Sequence, residues 1–508
     1  MIPRPGREDL HELAASWGFS VSAEEEVELL KVAEGVFQAF DLLESQPQAQ
    51  VEPVGAVRDP GRAPTPDEDP LNALVRVCRV RADGAEGPLT GTRLGIKDAI
   101  AIAGLPLTCG SRALEGFIPS EDSVVVDRIL RAGGEIVGIT NMDDLAFSGG
   151  GESSWYGPTL NPWDKTRSAG GSSSGSAAAL FYEGFDVCVG GDQGGSIRAP
   201  ASWCGVVGLK PTHGLVPYTG IMGIDQSFDH CGPMGRTTAS VAKLLQAIAG
   251  EHESDPRQRG IPDSDYVGAV ANADDDLSGV RLGVVDEGFS AEVGAEPATV
   301  EAVREAIGRL RELGAEPIDV SLPEHLQAGG IAFAGFVEGM TNLLETGGNG
   351  IGWRGRYWEE LAPAFSHGLA DHAQDLSAQV KLTMIAGRWL RRKYAGAFYA
   401  KAQNLRPWLR AAHDRALAEV DVLLLPATPW RAHALSDAPL ADRVFRGWQN
   451  LANTIPTDMT GHPAISLPLA EADGLPVGVM LVGRQFDDAR LLSIAATCER
   501  ALGWAPAS

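Results

Sequence analysis

Between Ser168 and Pro211 the chain reads SAGGSSSGSAAALFYEGFDVCVGGDQGGSIRAPASWCGVVGLKP, and two glycine-serine clusters in this stretch restrict the fold more than any other feature. The first, Gly170 to Ser176, leads directly into Ala177-Ala178-Ala179-Leu180, the pattern of a tight turn that becomes a helix N-terminus. The second, Gly190 to Ser196, follows the apolar run Val187-Cys188-Val189, which reads as a buried strand. A strand, a glycine turn and a serine in succession can present a hydroxyl beside free backbone N–H groups, since glycine lets the backbone approach closely. Acyl transfer requires that pairing of a nucleophile with donors for a developing oxyanion.

A serine nucleophile needs a base. Neither His213 nor His230 has the flanking sequence of a Ser-His-Asp protease, and Ser196 does not sit in a Gly-x-Ser-x-Gly elbow. Lys97 lies in the mostly apolar segment Leu94-Gly95-Ile96-Lys97-Asp98-Ala99-Ile100, where burial would disfavour the ammonium and let the neutral amine accept a proton. Taken alone, the segment fits a surface lysine at a strand end equally well. The first serine cluster, taken alone, also reads as a flexible loop or a phosphate cradle, although it lacks the Gly-Lys-Ser/Thr ending of a P-loop.

Taken together, GIKDAI, GGSSSGSAAA and GGDQGGSIRAP, in this order, resemble the amidase signature family. The segments GLKPTHGLVPYTG (208–220) and DHCGPM (229–234) are similar to stand-alone members found beside nitrile hydratases. The resemblance implies a Ser-cisSer-Lys triad, with Ser196 as nucleophile, Ser172 as the bridging serine in a cis peptide bond and Lys97 as base. It also implies oxyanion donors from Gln193, Gly194, Gly195 and Ser196, and a segment bordering the scissile amide at Phe147, Ser148 and Gly149. Asp192 and Arg198 bracket the nucleophile and read as a structural ion pair that fixes its loop. Asp192-Gln193 departs from the Asp-Thr or Asp-Ile of many relatives, a difference that bears on the contacts of the oxyanion loop and leaves the triad untouched.

The implied reaction is hydrolysis of a carboxylic amide to the acid and ammonia through an acyl-enzyme. A glutamine-hydrolysing subunit of a tRNA-dependent amidotransferase shares the signature, and secondary amides or carbamates are alternative substrates. A catalytically silent binding protein would lack a triad member, whereas Lys97, Ser172 and Ser196 are all present. The formal net charge of −25 argues against nucleic-acid and anionic-membrane partners and suits a small neutral amide. No apolar signal region opens the chain, and no run of about 18 apolar residues follows. Six scattered cysteines without a CxxC pair read as free thiols in a reducing compartment, so a cytoplasmic location is expected.

The remaining chain predicts an α/β fold: an amidase-signature domain with a central mixed β-sheet flanked by helices, preceded by a small N-terminal helical segment. Residues 1–70 read as a helical hairpin over Arg7 to Leu43, with a Ser22/Glu25 capping box, followed by a proline-rich connector; the catalytic domain is expected over 71–508. The hairpin reads either as a cap on the main domain or, as its counterparts in similar amidases imply, as the contact of a homodimer. Strands are expected near Leu94, over Ile136–Ile139, Val280–Val285, Val420–Pro426 and Gly478–Gly483, and helices over Ser123–Ala132, Ser240–Ala249 and Val300–Leu313. The helical, aromatic stretch from Gln327 to Arg406 reads as core packing or as the wall of a substrate pocket. His462 in Thr460-Gly461-His462-Pro463 reads as structural.

No His, Cys, Asp and Glu grouping has metal-ligand spacing, so no metal or other cofactor is expected. The implied amidase activity should therefore survive dialysis against EDTA; loss of turnover restored by zinc would contradict this.

Overall fold

Twelve strands of one mixed sheet fix where the site loops emerge. The computed structural model describes residues 2–47, 53–435 and 438–503. The chain divides into two compact units, residues 1–52 and residues 53–508.

The first unit holds the helices Arg7–Ser16 and Ala23–Glu44. Ser22 begins the second helix through a reciprocal capping box: its Oγ accepts from Glu25 N at 3.3 Å while Glu25 Oε2 accepts from Ser22 N at 2.9 Å, worth about 1 kcal/mol. The apolar residues that marked these helices in the sequence, among them Trp17, Val32, Val36 and Phe40, are exposed. Residues 48–52 of the expected connector lie outside the described residues.

The strands of the second unit are β1 (Ala56–Arg62), β2 (Leu74–Ala82), β3 (Arg93–Lys97), β4 (Glu135–Thr140), β5 (Val187–Asp192), β6 (Val207–Lys210), β7 (His230–Gly235), β8 (Arg281–Val285), β9 (Glu316–Val320), β10 (Val422–Pro426), β11 (Ala464–Ala472) and β12 (Leu475–Val482). Their spatial order is β1-β2-β4-β3-β5-β7-β6-β11-β12-β10-β8-β9. β3 runs parallel to β4 and β5, and β8 runs parallel to β9 and β10. The other neighbours are antiparallel, and β6 with β11 joins the two halves. Runs such as Val422–Pro426 are buried along their whole length, which accounts for their unbroken apolar sequence.

β1 differs from the expected connector. Its proline concealed a strand, because an edge strand needs backbone partners on one side only and Pro60 falls where the register with β2 shifts, between Asp59 and Arg62. Arg58 ties this edge down with Nη2 and Nη1 at 2.6 and 3.0 Å from the Asp122 carboxylate.

The chain leaves β3, returns as β4 on one side of it, and then passes to β5 on the other. The strand order therefore reverses at β3, the place in an α/β sheet where a crevice opens beyond the carboxyl ends of the strands. Lys97 ends β3, Asp192 ends β5, and the helix Ser174–Ala178 packs against β3, β4 and β5. The aromatic stretch divides. Trp353 stacks on Tyr357 at 4.2 Å, and Trp353 and Trp358 line an open cleft together with Tyr218 and Arg257, whereas Trp389, Tyr394 and Phe398 are exposed.

Truncation after residue 52 should leave the second unit folded, because its sheet stays whole. Extending the deletion through Pro70 removes β1 and the Arg58–Asp122 pair, and should lower the unfolding temperature by roughly 5 °C or more relative to the shorter truncation. Thermal unfolding of the two truncated proteins, with their elution volumes on size exclusion, tests this; equal midpoints would contradict it.

Candidate active site

Lys97 is fully enclosed at the end of β3, with 1% of its surface exposed. Its Nζ donates to Ser172 Oγ at 2.8 Å, to Ser173 Oγ at 2.9 Å and to the Gly191 carbonyl at 3.4 Å. Burial pushes its pKa down from the usual lysine value to about 8, against the opposing pull of Asp143 and Asp192. An amine in that range exists in both protonation states near neutrality, as proton transfer requires.

The loop carrying Ser172 is held from several sides. The Gly171–Ser172 peptide bond is cis. Gly171 N donates to the Gly149 carbonyl at 2.9 Å, and that carbonyl also accepts from Asn450 Nδ2 at 2.6 Å. Asp143 accepts from Gly151 N and Ser153 N, both at 2.9 Å, fixing the turn that follows. Ser173 donates through its Oγ to the Gly191 carbonyl at 3.0 Å, and its N–H donates to the Ser196 carbonyl at 3.1 Å. The two glycine-serine clusters thus meet backbone to backbone, and Lys97 lies between them.

Ser196 follows Gly195, whose φ is +138°. A Cβ on Gly195 would stand 2.0 Å from Thr454 Oγ1, so no side chain can occupy the position without displacing the residue that also donates to the Gly194 carbonyl at 2.6 Å. Among the described residues, none accepts a hydrogen bond from the backbone N–H of Gln193, Gly194, Gly195 or Ser196. Successive unpartnered N–H groups form an anion-accepting concavity, and beside it the Ser196 hydroxyl makes no hydrogen bond with any described residue.

Behind this loop, Arg198 is entirely buried. It holds Asp192 in a two-pronged contact, Nε to Oδ2 at 3.0 Å and Nη2 to Oδ1 at 2.9 Å. It also reaches Asp458 Oδ2 at 2.7 Å, Thr457 Oγ1 at 2.6 Å and the Thr454 carbonyl at 3.0 Å. Burial alone would raise Asp192, but the Arg198 guanidinium holds it at about 2; burial and the neighbouring Asp192 charge push Asp458 well up. Asp192 also accepts from Ile197 N at 3.0 Å, so the ion pair clamps both ends of the turn that carries Ser196.

Phe147, Ser148 and Gly149 are buried. The Phe147 ring meets Phe336 and Trp448 edge to face at 6.5 and 6.2 Å, and Gly149 supports the Ser172 loop as described. His462 is buried, with Asp414 Oδ1 3.0 Å from Nε2 and Thr460 Oγ1 2.9 Å from Nδ1, and makes no contact with Lys97, Ser172 or Ser196. Sequence reasoning passed over Ser173, Asp143, Asp458 and Lys210. Lys210 is as buried as Lys97 and pushed down to about 8 by burial, but its donors go to the His462 and Pro211 carbonyls at 2.7 and 3.2 Å. Its apolar flanks carry the same signal that marks Lys97; only the partners distinguish the two. Among the described residues no group of three or more His, Cys, Asp or Glu could hold a metal ion.

The amidase family model matches residues 69–492. An enantioselective amidase of Rhodococcus rhodochrous is 40% identical over 449 residues, covering 87% of this chain and 85% of that protein. The glutamyl-tRNA(Gln) amidotransferase A subunit of Halobacterium salinarum is 39% identical, covering 85% of this chain and all of that protein. Among solved structures, the peptide amidase of Stenotrophomonas maltophilia superposes with a TM-score of 0.70 at 27% identity, covering 87% of this chain and 91% of its own.

Removing the guanidinium while keeping its length, Arg198→Met, leaves Asp192 buried without its counter-charge. Stability should fall by about 3–5 kcal/mol. Denaturant unfolding measures it, and a loss below about 1 kcal/mol would show that the clamp is not needed.

Proposed function

The chain belongs to the amidase signature family and is an enzyme that hydrolyses carbon–nitrogen amide bonds, and we propose that it acts as a stand-alone amidase through Ser196, Ser172 and Lys97. The observation that carries this reading is the contact of a fully buried lysine amine with Ser172 Oγ at 2.8 Å. A lysine that has lost its hydration and faces hydroxyls is a base.

In this mechanism Ser196 Oγ attacks the carbonyl carbon of R–CO–NH2. Its proton moves to Ser172 as the Ser172 proton moves to Lys97 Nζ. The carbonyl oxygen takes the electron pair and is stabilised by the N–H groups of the 193–196 turn. Collapse of the tetrahedral species breaks the C–N bond, and the proton held on Lys97 returns through Ser172 to the departing nitrogen. Ammonia leaves an ester on Ser196. Water, deprotonated along the same relay, then releases the acid and restores the serine. Phe147, Ser148 and Gly149 border the acyl group, while Asp192 and Arg198 hold the turn without taking part in proton transfer.

The cleft lined by Trp353, Trp358 and Tyr218 adjoins the site through Tyr218, whose Oη accepts from Gln193 Nε2 at 2.8 Å, and the exposed apolar residues of the N-terminal helices support a homodimer. Six buried free cysteines suit a reducing cytoplasm. No helix among the described residues is long and apolar enough to cross a membrane. The second reading, a glutamine-hydrolysing subunit, draws on the match of 85% of this chain to the whole of one amidotransferase A subunit. Ammonia release from a panel of aliphatic, aromatic and indolic amides, with glutamine included, separates the two: the stand-alone reading expects turnover without any partner protein and a preference for an amide other than glutamine.

Ser196→Ala should lower kcat by about 10³-fold or more with the fold retained. Since only the neutral amine of Lys97 accepts a proton, log kcat/KM should rise with pH at unit slope and level off near pH 8. Lys97→Ala should remove both the inflection and most of the rate. Wild-type acylation rates in Lys97→Ala would eliminate the lysine as base.

A further inference from the structure

The Gln193 side chain is 3% exposed, and only one end of its carboxamide is satisfied. Nε2 donates to Tyr218 Oη at 2.8 Å, while Oε1 is buried without a partner among the described residues. A buried acceptor left empty is destabilising, so its retention beside the proposed nucleophile calls for a reason.

Tyr218 sets which end of the carboxamide is free. Burial pushes the phenol pKa well up, so the group stays protonated with a single O–H. That hydrogen points to the Met222 carbonyl at 3.4 Å. Toward Gln193 the phenol oxygen can therefore only accept, which turns Nε2 to the tyrosine and Oε1 away from it.

The carboxamide also lies on a defined side of the site. A Cβ placed on Gly191 would be 3.3 Å from Gln193 Nε2 and 3.7 Å from Lys97 Nζ. The Nε2 end of the glutamine amide and the proposed base therefore both lie near Gly191. In the mechanism above, the departing nitrogen must face Lys97 and Ser172 to be protonated, while the carbonyl oxygen faces the backbone N–H groups.

We infer that Gln193 Oε1 accepts a hydrogen bond from the N–H of the scissile amide, making this residue the one that selects nitrogen leaving groups carrying a hydrogen. This rests on the Ser196–Ser172–Lys97 reading. An ester of the same acid, or an N,N-dimethyl amide, offers no hydrogen there and leaves the acceptor empty. The preference for the amide is then a difference of one satisfied acceptor, the kind of polar mismatch by which sites reject isosteres. Tyr218 acts through Gln193 as a positioning residue.

The test compares kcat/KM for the best amide of the panel with that for the methyl ester of the same acid, in wild type, Gln193→Met and Tyr218→Phe. Where ester turnover falls below detection, its inhibition constant against the amide takes its place. The amide-to-ester ratio should drop roughly 10- to 100-fold in Gln193→Met and less, in the same direction, in Tyr218→Phe. If Gln193→Met fails to fold, Gln193→Asn, which withdraws the acceptor by one methylene, should lower the ratio as well. An unchanged ratio, with amide and ester losing rate equally, overturns the inference while leaving the triad standing. Full activity in Ser196→Ala would instead overturn the triad itself.

Discussion

A lysine amine taken wholly out of water is the constraint on which the rest of the site depends. An isolated buried ammonium costs several kcal/mol, and the protein meets that cost in two ways: it lets the pKa of Lys97 fall, and it surrounds Nζ with oxygens from Ser172, Ser173 and Gly191. Those acceptors come from two separate glycine-serine turns, so satisfying one amine requires the turns to converge. The acidic composition of the chain works in the opposite direction, since negative charge stabilises an ammonium. Complete burial at the end of a central strand is what lets desolvation prevail over that field.

The Arg198 network gives the same loop rigidity by a different means. The guanidinium makes contacts with Asp192, Asp458, Thr457 and Thr454, and Thr454 in turn donates to Gly194. A turn whose N–H groups must remain unpartnered cannot be stabilised by its own backbone hydrogen bonds. It is held instead by side chains from behind, which leaves the front of the turn open for an anion.

Much of this was legible in the sequence. The strands near Lys97, Ile136, Val280, Val420 and Val479 announced themselves as apolar runs, and the two clusters marked the candidate site because few backbones need so many small residues in two successive turns. β1 was not legible, since its proline and charges suit an edge strand and a connector equally. Nor was the role of Ser173, whose neighbours in the serine run differ only in which way each hydroxyl points. Asp143 and Asp458 became visible only with their partners, because a buried carboxylate and a surface one are the same letter. The aromatics between Trp353 and Phe398 split between a cleft wall and the surface: Trp353 and Trp358 lie on the loop between two helices, whereas Trp389, Tyr394 and Phe398 lie on exposed helix faces.

The Arg198 clamp also sets the order in which the molecule becomes competent during its synthesis. Lys97, Ser172 and Ser196 are all present once the turn carrying Ser196 has been made, and β3 and β5 can pair at that stage. Asp458, however, lies 260 residues beyond Arg198, and Thr454 and Thr457 arrive with it. Until that segment emerges, the guanidinium has only Asp192 among these partners, and the turn carrying Ser196 lacks its rear support. The candidate site is thus completed by the chain's late portion, so that a half-made polypeptide carries its three side chains but not the scaffold that holds the Ser196 turn.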